Sequence, residues 1–156
     1  MVSNRVDHTS RSLARLGAVQ ALYQMDIAGS DLERVLAEFS AMYLGKGPDG
    51  EIIGDADEDH FRALVSGAVE NQSEIDPKID KQLAEGWRLN RLDSTLRAIL
   101  RVGTFELGWC LDVPVKVVLN EYIELAHDFF DGDEDKVVNG VLDALAKTLR
   151  TKELST

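Results

Sequence analysis

DSTLRAILRVGTFEL, residues 93–107, decides the fold. Leu96, Ile99, Leu100, Gly103 and Leu107 recur at three- and four-residue steps, the spacing that lines up one side of an α-helix, and the apolar arc is wide. Asp93 stands where a carboxylate can accept from the unbonded amides of a first turn. A helix apolar over so much of its circumference must be packed on several sides, which requires other helices around it.

Those helices are found in both directions. Downstream, Pro114 fits the first turn of a helix carrying Val118, Leu119, Tyr122, Ile123, Ala126 and Phe129. The acids Asp131, Asp133, Glu134 and Asp135 then precede a last helix with Val138, Val141, Leu142, Leu145 and Leu149 on one face, where carboxylates favour the positive end of the helix dipole. The tail after Arg150 is expected to fray. Upstream, Ile75, Ile79 and Leu83 step by four, and Pro77 either opens a separate short helix or kinks a long one. Asp55 with Glu58 predicts the start of a helix bearing Phe61, Leu64, Val65, Ala68 and Val69. Before it, residues 45–56, GKGPDGEIIGDA, form the substantial loop. Ser30 with Glu33 makes a capping box ahead of Leu32, Val35, Leu36, Phe39, Met42 and Tyr43, a helix ended by Gly45. The first helix is expected from Ser10 or Arg11 to Ala28, with Leu16, Val19 and Tyr23 on one face and Gly29 as its stop. No stretch alternates as a strand does. The chain is therefore all-α, with six to seven helices in two packed subdomains of one domain spanning residues 1–156. Its expected parts are a flexible basic arm over residues 1–10, a helical part over 11–48 and a helical bundle over 55–150.

The 156 residues are 44% hydrophobic and 29% charged, which excludes collagen-like, low-complexity and wholly disordered chains. No apolar run approaches the roughly 18 residues of a membrane helix, no secretory pattern opens the chain, and Cys110 alone cannot form an internal disulfide. A cytoplasmic location is expected. Catalytic and metal chemistry find little support. His8, His60 and His127 are scattered, Cys110 reads as an inert thiol, and Gly45-Lys46-Gly47 lacks the rest of a phosphate loop. The acidic runs 55–59 and 131–135 imitate calcium loops but carry His60 and Lys136 where glycine belongs, and Ser66 and Leu142 where glutamate belongs. No catalytic residue, metal or cofactor is expected.

Charge is the more informative property. Seventeen Lys and Arg against 28 Asp and Glu give a net charge of −11, yet residues 1–20 hold Arg5, Arg11 and Arg15 against Asp7 alone. Such a chain can offer a small basic patch to a polyanion and a broad acidic surface to a basic protein. Arg11 and Arg15, four apart, would project from one side of the first helix and grip successive phosphates, with Arg5 on the arm before them. Tyr23 reads first as core packing and second as a base-stacking ring. Arg88, Arg91, Arg97 and Arg101 form a second basic series, in which Asp93 and Arg97 are spaced for an ion pair. An acidic helical adaptor that binds proteins only is the competing reading.

Asp112-Val113-Pro114-Val115-Lys116-Val117-Val118-Leu119-Asn120-Glu121, then Ile123-Glu124-Leu125-Ala126, then Lys136-Val137-Val138-Asn139-Gly140-Val141-Leu142-Asp143 closely resemble the C-terminal signature of the NusB family of bacterial transcription antitermination proteins. Arg11-Ser12-Leu13-Ala14-Arg15 with Ala18 to Gln24 resembles that family's opening helix, and Leu100-Arg101-Val102 with Phe105-Glu106-Leu107 its central one. The resemblance spans residues 11–149. It implies no catalysis, binding of boxA RNA in nascent ribosomal RNA transcripts, a protein partner NusE from the small ribosomal subunit, and assembly on RNA polymerase with NusA and NusG. It places RNA contacts at Arg11 and Arg15, at Lys136 and Asn139, and beside the acidic position Asp133. Ser12 and Leu13 stand where the family often carries further basic residues, and Val137 where it often carries phenylalanine, so RNA is expected to be held jointly with NusE. A monomer and a helix-mediated homodimer both fit the apolar stripes.

Overall fold

The computed structural model describes the backbone of residues 2–154 and the side chains of residues 10–154. Among the described residues it is all-helical, with eight α-helices rather than six or seven: α1 (Val2–Ala28), α2 (Leu32–Glu38), α3 (Glu58–Glu70), α4 (Gln72–Gln82), α5 (Ser94–Trp109), α6 (Val115–Phe129), α7 (Glu134–Leu149) and α8 (Thr151–Leu154). A π-turn, Phe39–Tyr43, follows α2, and a 3-10 turn, Leu89–Arg91, precedes α5. The extra helix is α8, in the tail expected to fray. It forms because Glu153 reaches both Arg150, at 2.6 Å, and the amide of Val115, at 2.9 Å. The other extension is at the front, where α1 runs from Val2 and replaces the arm expected over residues 1–10.

Two compact units divide between Val69 and Glu70. The break expected in the 45–56 loop is thereby corrected, because α3 packs with the N-terminal unit. In that unit Leu13, Ala14, Ala18, Val19, Ala21 and Leu22 of α1 are buried. Gly17 lets Phe61 of α3 come close, since a Cβ there would stand 3.3 Å from that ring and 2.7 Å from Leu44. Phe61 in turn stacks on Phe39 with centroids 6.0 Å apart. The loop that looked like a linker folds back on itself: Gly45, at φ +75°, accepts through its carbonyl from Ile53 and Gly54, and Lys46 bridges Ile52. The caps shift slightly from their expected places. Asp31, not Ser30, accepts from the Arg34 amide at 3.3 Å, and Asp57, not Asp55, accepts from the His60 amide at 2.9 Å.

In the second unit α5, α6 and α7 pack against one another, with α4 laid on α5 and α7. Pro77 lies inside α4, which Asn71 separates from α3. α5 is the central helix, buried from Leu96 through Leu107 except at Arg97 and Arg101. Asp93 caps it as the sequence indicates, accepting from Thr95 and Leu96 at 2.8 and 3.2 Å. Gly103 admits the neighbouring helices: a Cβ there would meet Leu142 at 3.0 Å and Tyr122 at 3.2 Å. Tyr122 donates to the fully buried Glu106 carboxylate at 2.6 Å. Burying a carboxylate is costly unless it is hydrogen-bonded, so this contact holds α6 to α5 at a polar point in the core. At the far end of α5, Arg150 donates to the carbonyls of Leu107 and Cys110 at 2.5 and 3.0 Å, satisfying acceptors that a helix terminus leaves open.

Candidate nucleic-acid interface

On α1 the residues read as a phosphate grip separate. Arg11 is half-exposed, its Nε 3.6 Å from the Asp57 carboxylate at the start of α3. An ion pair this accessible contributes little and can exchange partners. Arg15 is only 2% exposed, which corrects its reading as a surface cation. Ala18 and Val19, three and four residues on, are themselves fully buried, so Arg15 lies on the packed side of the helix, where it interacts within the chain. Tyr23 moves the other way: its ring, expected first in the core, is 42% exposed, next to exposed Ile27 one turn on. The Arg5 side chain lies outside the described residues.

In the second unit the start of α7 presents Asp133, Lys136 and Asn139, all exposed. Lys136 Nζ is 3.4 Å from Asp133, with the lysine side chain 79% exposed. This pair too is worth at most about 1 kcal/mol, leaving the ammonium able to turn to a phosphate.

Beside it stands a residue that the sequence reading passed over. Trp87 is 51% exposed and lines a cavity of about 250 Å³ with Leu83, Lys136, Val137 and Gly140. The turn that puts it there is closed by its amide on the Ala84 carbonyl at 2.9 Å, with Gly86 at φ +86°, a conformation glycine adopts without strain. Gly140 is exposed, and a Cβ built on it would meet nothing within 4 Å among the described residues, unlike one at Gly103. A mid-helix glycine costs roughly 0.5–1 kcal/mol relative to alanine, and at Gly140 no close approach among the described residues calls for it. The available signal in the sequence was an aromatic ring directly after glycine in a polar turn, Glu85-Gly86-Trp87-Arg88.

The second basic series divides as well. Arg97 donates to the carbonyls of Asn90 and Leu92 at 3.1 and 3.2 Å, and Arg101 clasps Asp76 through two 2.9 Å bonds. These two arginines hold the turn before α5 and the face of α4. Arg88 and Arg91 are exposed and line a polar cleft with Asp80 and Asn90. The calcium-like acidic runs serve helix starts: Asp57 caps α3, and Glu134 and Asp135 occupy the first turn of α7. Among the described residues no group of three or more His, Cys, Asp or Glu could hold a metal ion, and no helix is long and apolar enough to cross a membrane.

The NusB family profile matches residues 12–147. The chain is 54% identical over 140 residues to the transcription antitermination protein NusB of Rhizobium rhizogenes, covering 90% of this chain and 88% of that one. To the Caulobacter vibrioides protein of the same name it is 49% identical over 150 residues, covering 96% and 99%. Among solved structures it is similar to T. maritima NusB, with a TM-score of 0.77 at 32% identity, covering 94% and 97% of the two chains. It is also similar to a chain in the crystal structure of antitermination factors NusB and NusE in complex with double-stranded RNA, with a TM-score of 0.73 at 28% identity, covering 88% and 96%.

Proposed function

The chain belongs to the NusB family, and from that premise we propose that it is a non-enzymatic transcription antitermination factor that binds boxA RNA in nascent ribosomal RNA transcripts jointly with NusE. Identity of 54% over nine-tenths of the chain to a transcription antitermination protein carries this reading. The likeness to a NusB solved with NusE and RNA supports both partners. Work on RNA polymerase with NusA and NusG, in the cytoplasm, extends the same reading.

The charge distribution supplies a physical reason for joint binding. A body of net charge −11 repels a polyanion at long range but attracts a basic ribosomal protein, which speeds encounter. Docked NusE adds its positive charge beside the chain's few exposed cations, and two weak RNA contacts in one assembly act at high effective concentration. The contacts proposed on this chain are the exposed ones: Arg11 and Tyr23 on α1, and Lys136 and Asn139 beside Asp133 on α7. Arg15 serves the core of the first unit instead.

Burial of Arg15 also favours the competing adaptor reading, because it removes one cation from the RNA face. One titration separates the two. Fluorescence anisotropy of boxA and scrambled oligonucleotides, with and without NusE over a salt series, should show tighter boxA binding when NusE is present. Equal affinity in both cases contradicts the joint site, and NusE binding without any RNA preference favours the adaptor.

A further inference from the structure

The cavity between the Trp87 turn and α7 has three properties that together describe a ligand. Its volume of about 250 Å³ lies below the roughly 300–1,000 Å³ of drug-sized sites and suits one flat ring system. One wall is the half-exposed indole of Trp87, and aromatic rings stack nucleobases irrespective of sequence. At the mouth stands the exposed ammonium of Lys136, a compact charge suited to a phosphate. Gly140 leaves its stretch of α7 open to close approach from outside, since a Cβ there would meet nothing within 4 Å among the described residues.

We infer that this cavity is a single-nucleotide pocket in which an unpaired RNA base stacks on Trp87, its phosphate on Lys136, with Gly140 keeping the space for the sugar and base edge. The inference rests on the RNA-binding reading above. It adds to that reading an aromatic contact on an edge where Val137 supplies no ring. A basic protein segment is the other occupant that the groove could take, but Lys136 is the one charged residue in its lining, and the nearby Asp133 is already paired with that lysine. The cavity walls themselves carry only a cation.

The test uses the full chain with NusE and a boxA single strand. Trp87→Ala should weaken RNA binding about tenfold to a hundredfold, while Trp87→Phe, which keeps a ring, should recover most of that loss. Gly140→Leu, which fills the space, should weaken binding to a similar degree. In a Trp109→Phe background, RNA should quench the fluorescence of Trp87. Circular dichroism and the melting temperature of each variant check folding, and quenching of the unaltered Trp87 needs no disruptive change. If Trp87→Ala binds RNA as the parent does while Arg11→Ala is weakened, the pocket is refuted and the RNA-binding reading stands. If the parent itself shows no boxA preference with NusE, that reading fails first. If Trp87→Ala instead weakens NusE binding in the absence of RNA, a protein occupies the groove and the inference is overturned.

Discussion

α1 and the start of α7 each carry cations that the sequence marks for a polyanion, and burial sorts them into two kinds. On α1, Arg15 faces the core and is committed to the chain's own structure, whereas Arg11 stays half-exposed in a weak pair with Asp57. On α7, Lys136 stands in water beside an open cavity, held by a single weak pair. Charge counted along a sequence thus measures supply, whereas burial decides whether that supply serves stability or binding. Removing a buried ion leaves its surroundings unsatisfied, and removing an exposed one leaves almost nothing behind.

The contrast can be broken most forcefully at Arg15. Arg15→Ala, which truncates a large side chain only 2% exposed, is expected to cost about 2–5 kcal/mol of stability, the range for large-to-small changes at buried positions, measured by urea unfolding. A loss below about 0.5 kcal/mol would mean that Arg15 behaves as a surface residue. In the second unit, Tyr122→Phe removes the donor to buried Glu106 and should cost about 1–3 kcal/mol while leaving RNA affinity of the folded protein unchanged. Lys136→Ala sharpens the comparison from the other side: stability should stay within about 0.5 kcal/mol, and RNA binding should weaken. A destabilisation as large as that of Arg15→Ala would erase the distinction.

The smallest effect concerns α8. The Glu153 carboxyl is lowered from its ordinary value of 4.5, chiefly by the hydrogen bond from the Val115 amide and secondarily by Arg150. A carboxyl depressed in the folded state lends stability above its unfolded value and loses it as pH falls through the folded one. Glu153→Gln should therefore lower stability slightly at neutrality, with parent and variant curves converging as pH falls below 4.5, as followed by thermal melts across pH. An unchanged acid limb would show that the α8 contact carries no stability.

The helical class and most of the core were legible because three- and four-residue apolar spacing leaves few alternatives, and α5 became the central helix as its wide arc required. Asp93 was legible as a cap for the same local reason. Where several cap-type residues crowd together, as at Ser30-Asp31 and Asp55-Ala56-Asp57, composition could not choose among them, and tertiary contacts did: the Asp57 amide bonds the Ser10 carbonyl at 3.0 Å. The extent of the N-terminal unit was hidden because Gly45 to Gly54 looks like a linker, while φ +75° at Gly45 turns it into a closed loop.

On α1 the expected apolar face held at Val19, which is fully buried, and failed at Tyr23, which is exposed. The small residues decide the packed side, since Ala14, Gly17, Ala18 and Ala21 allow neighbours to approach closely. That choice places Arg15 inside and Tyr23 outside. Trp87 was harder to read for a different reason, its one signal being a ring directly after Gly86 in a polar turn. A lone aromatic in a turn has no periodicity to announce it, and only the fold brings it beside Lys136 and Gly140.

The salt dependence of boxA binding in the presence of NusE tests the central contrast most directly, because each phosphate neutralised on a single strand adds about 0.7 to the slope of log K against log salt. Arg15→Met, an apolar replacement of similar size, should keep the parent slope, whereas Lys136→Ala and Arg11→Ala should each lower it by about 0.7. A slope that falls for Arg15→Met as far as for Lys136→Ala would contradict the assignment of Arg15 to the core and of the exposed cations to RNA.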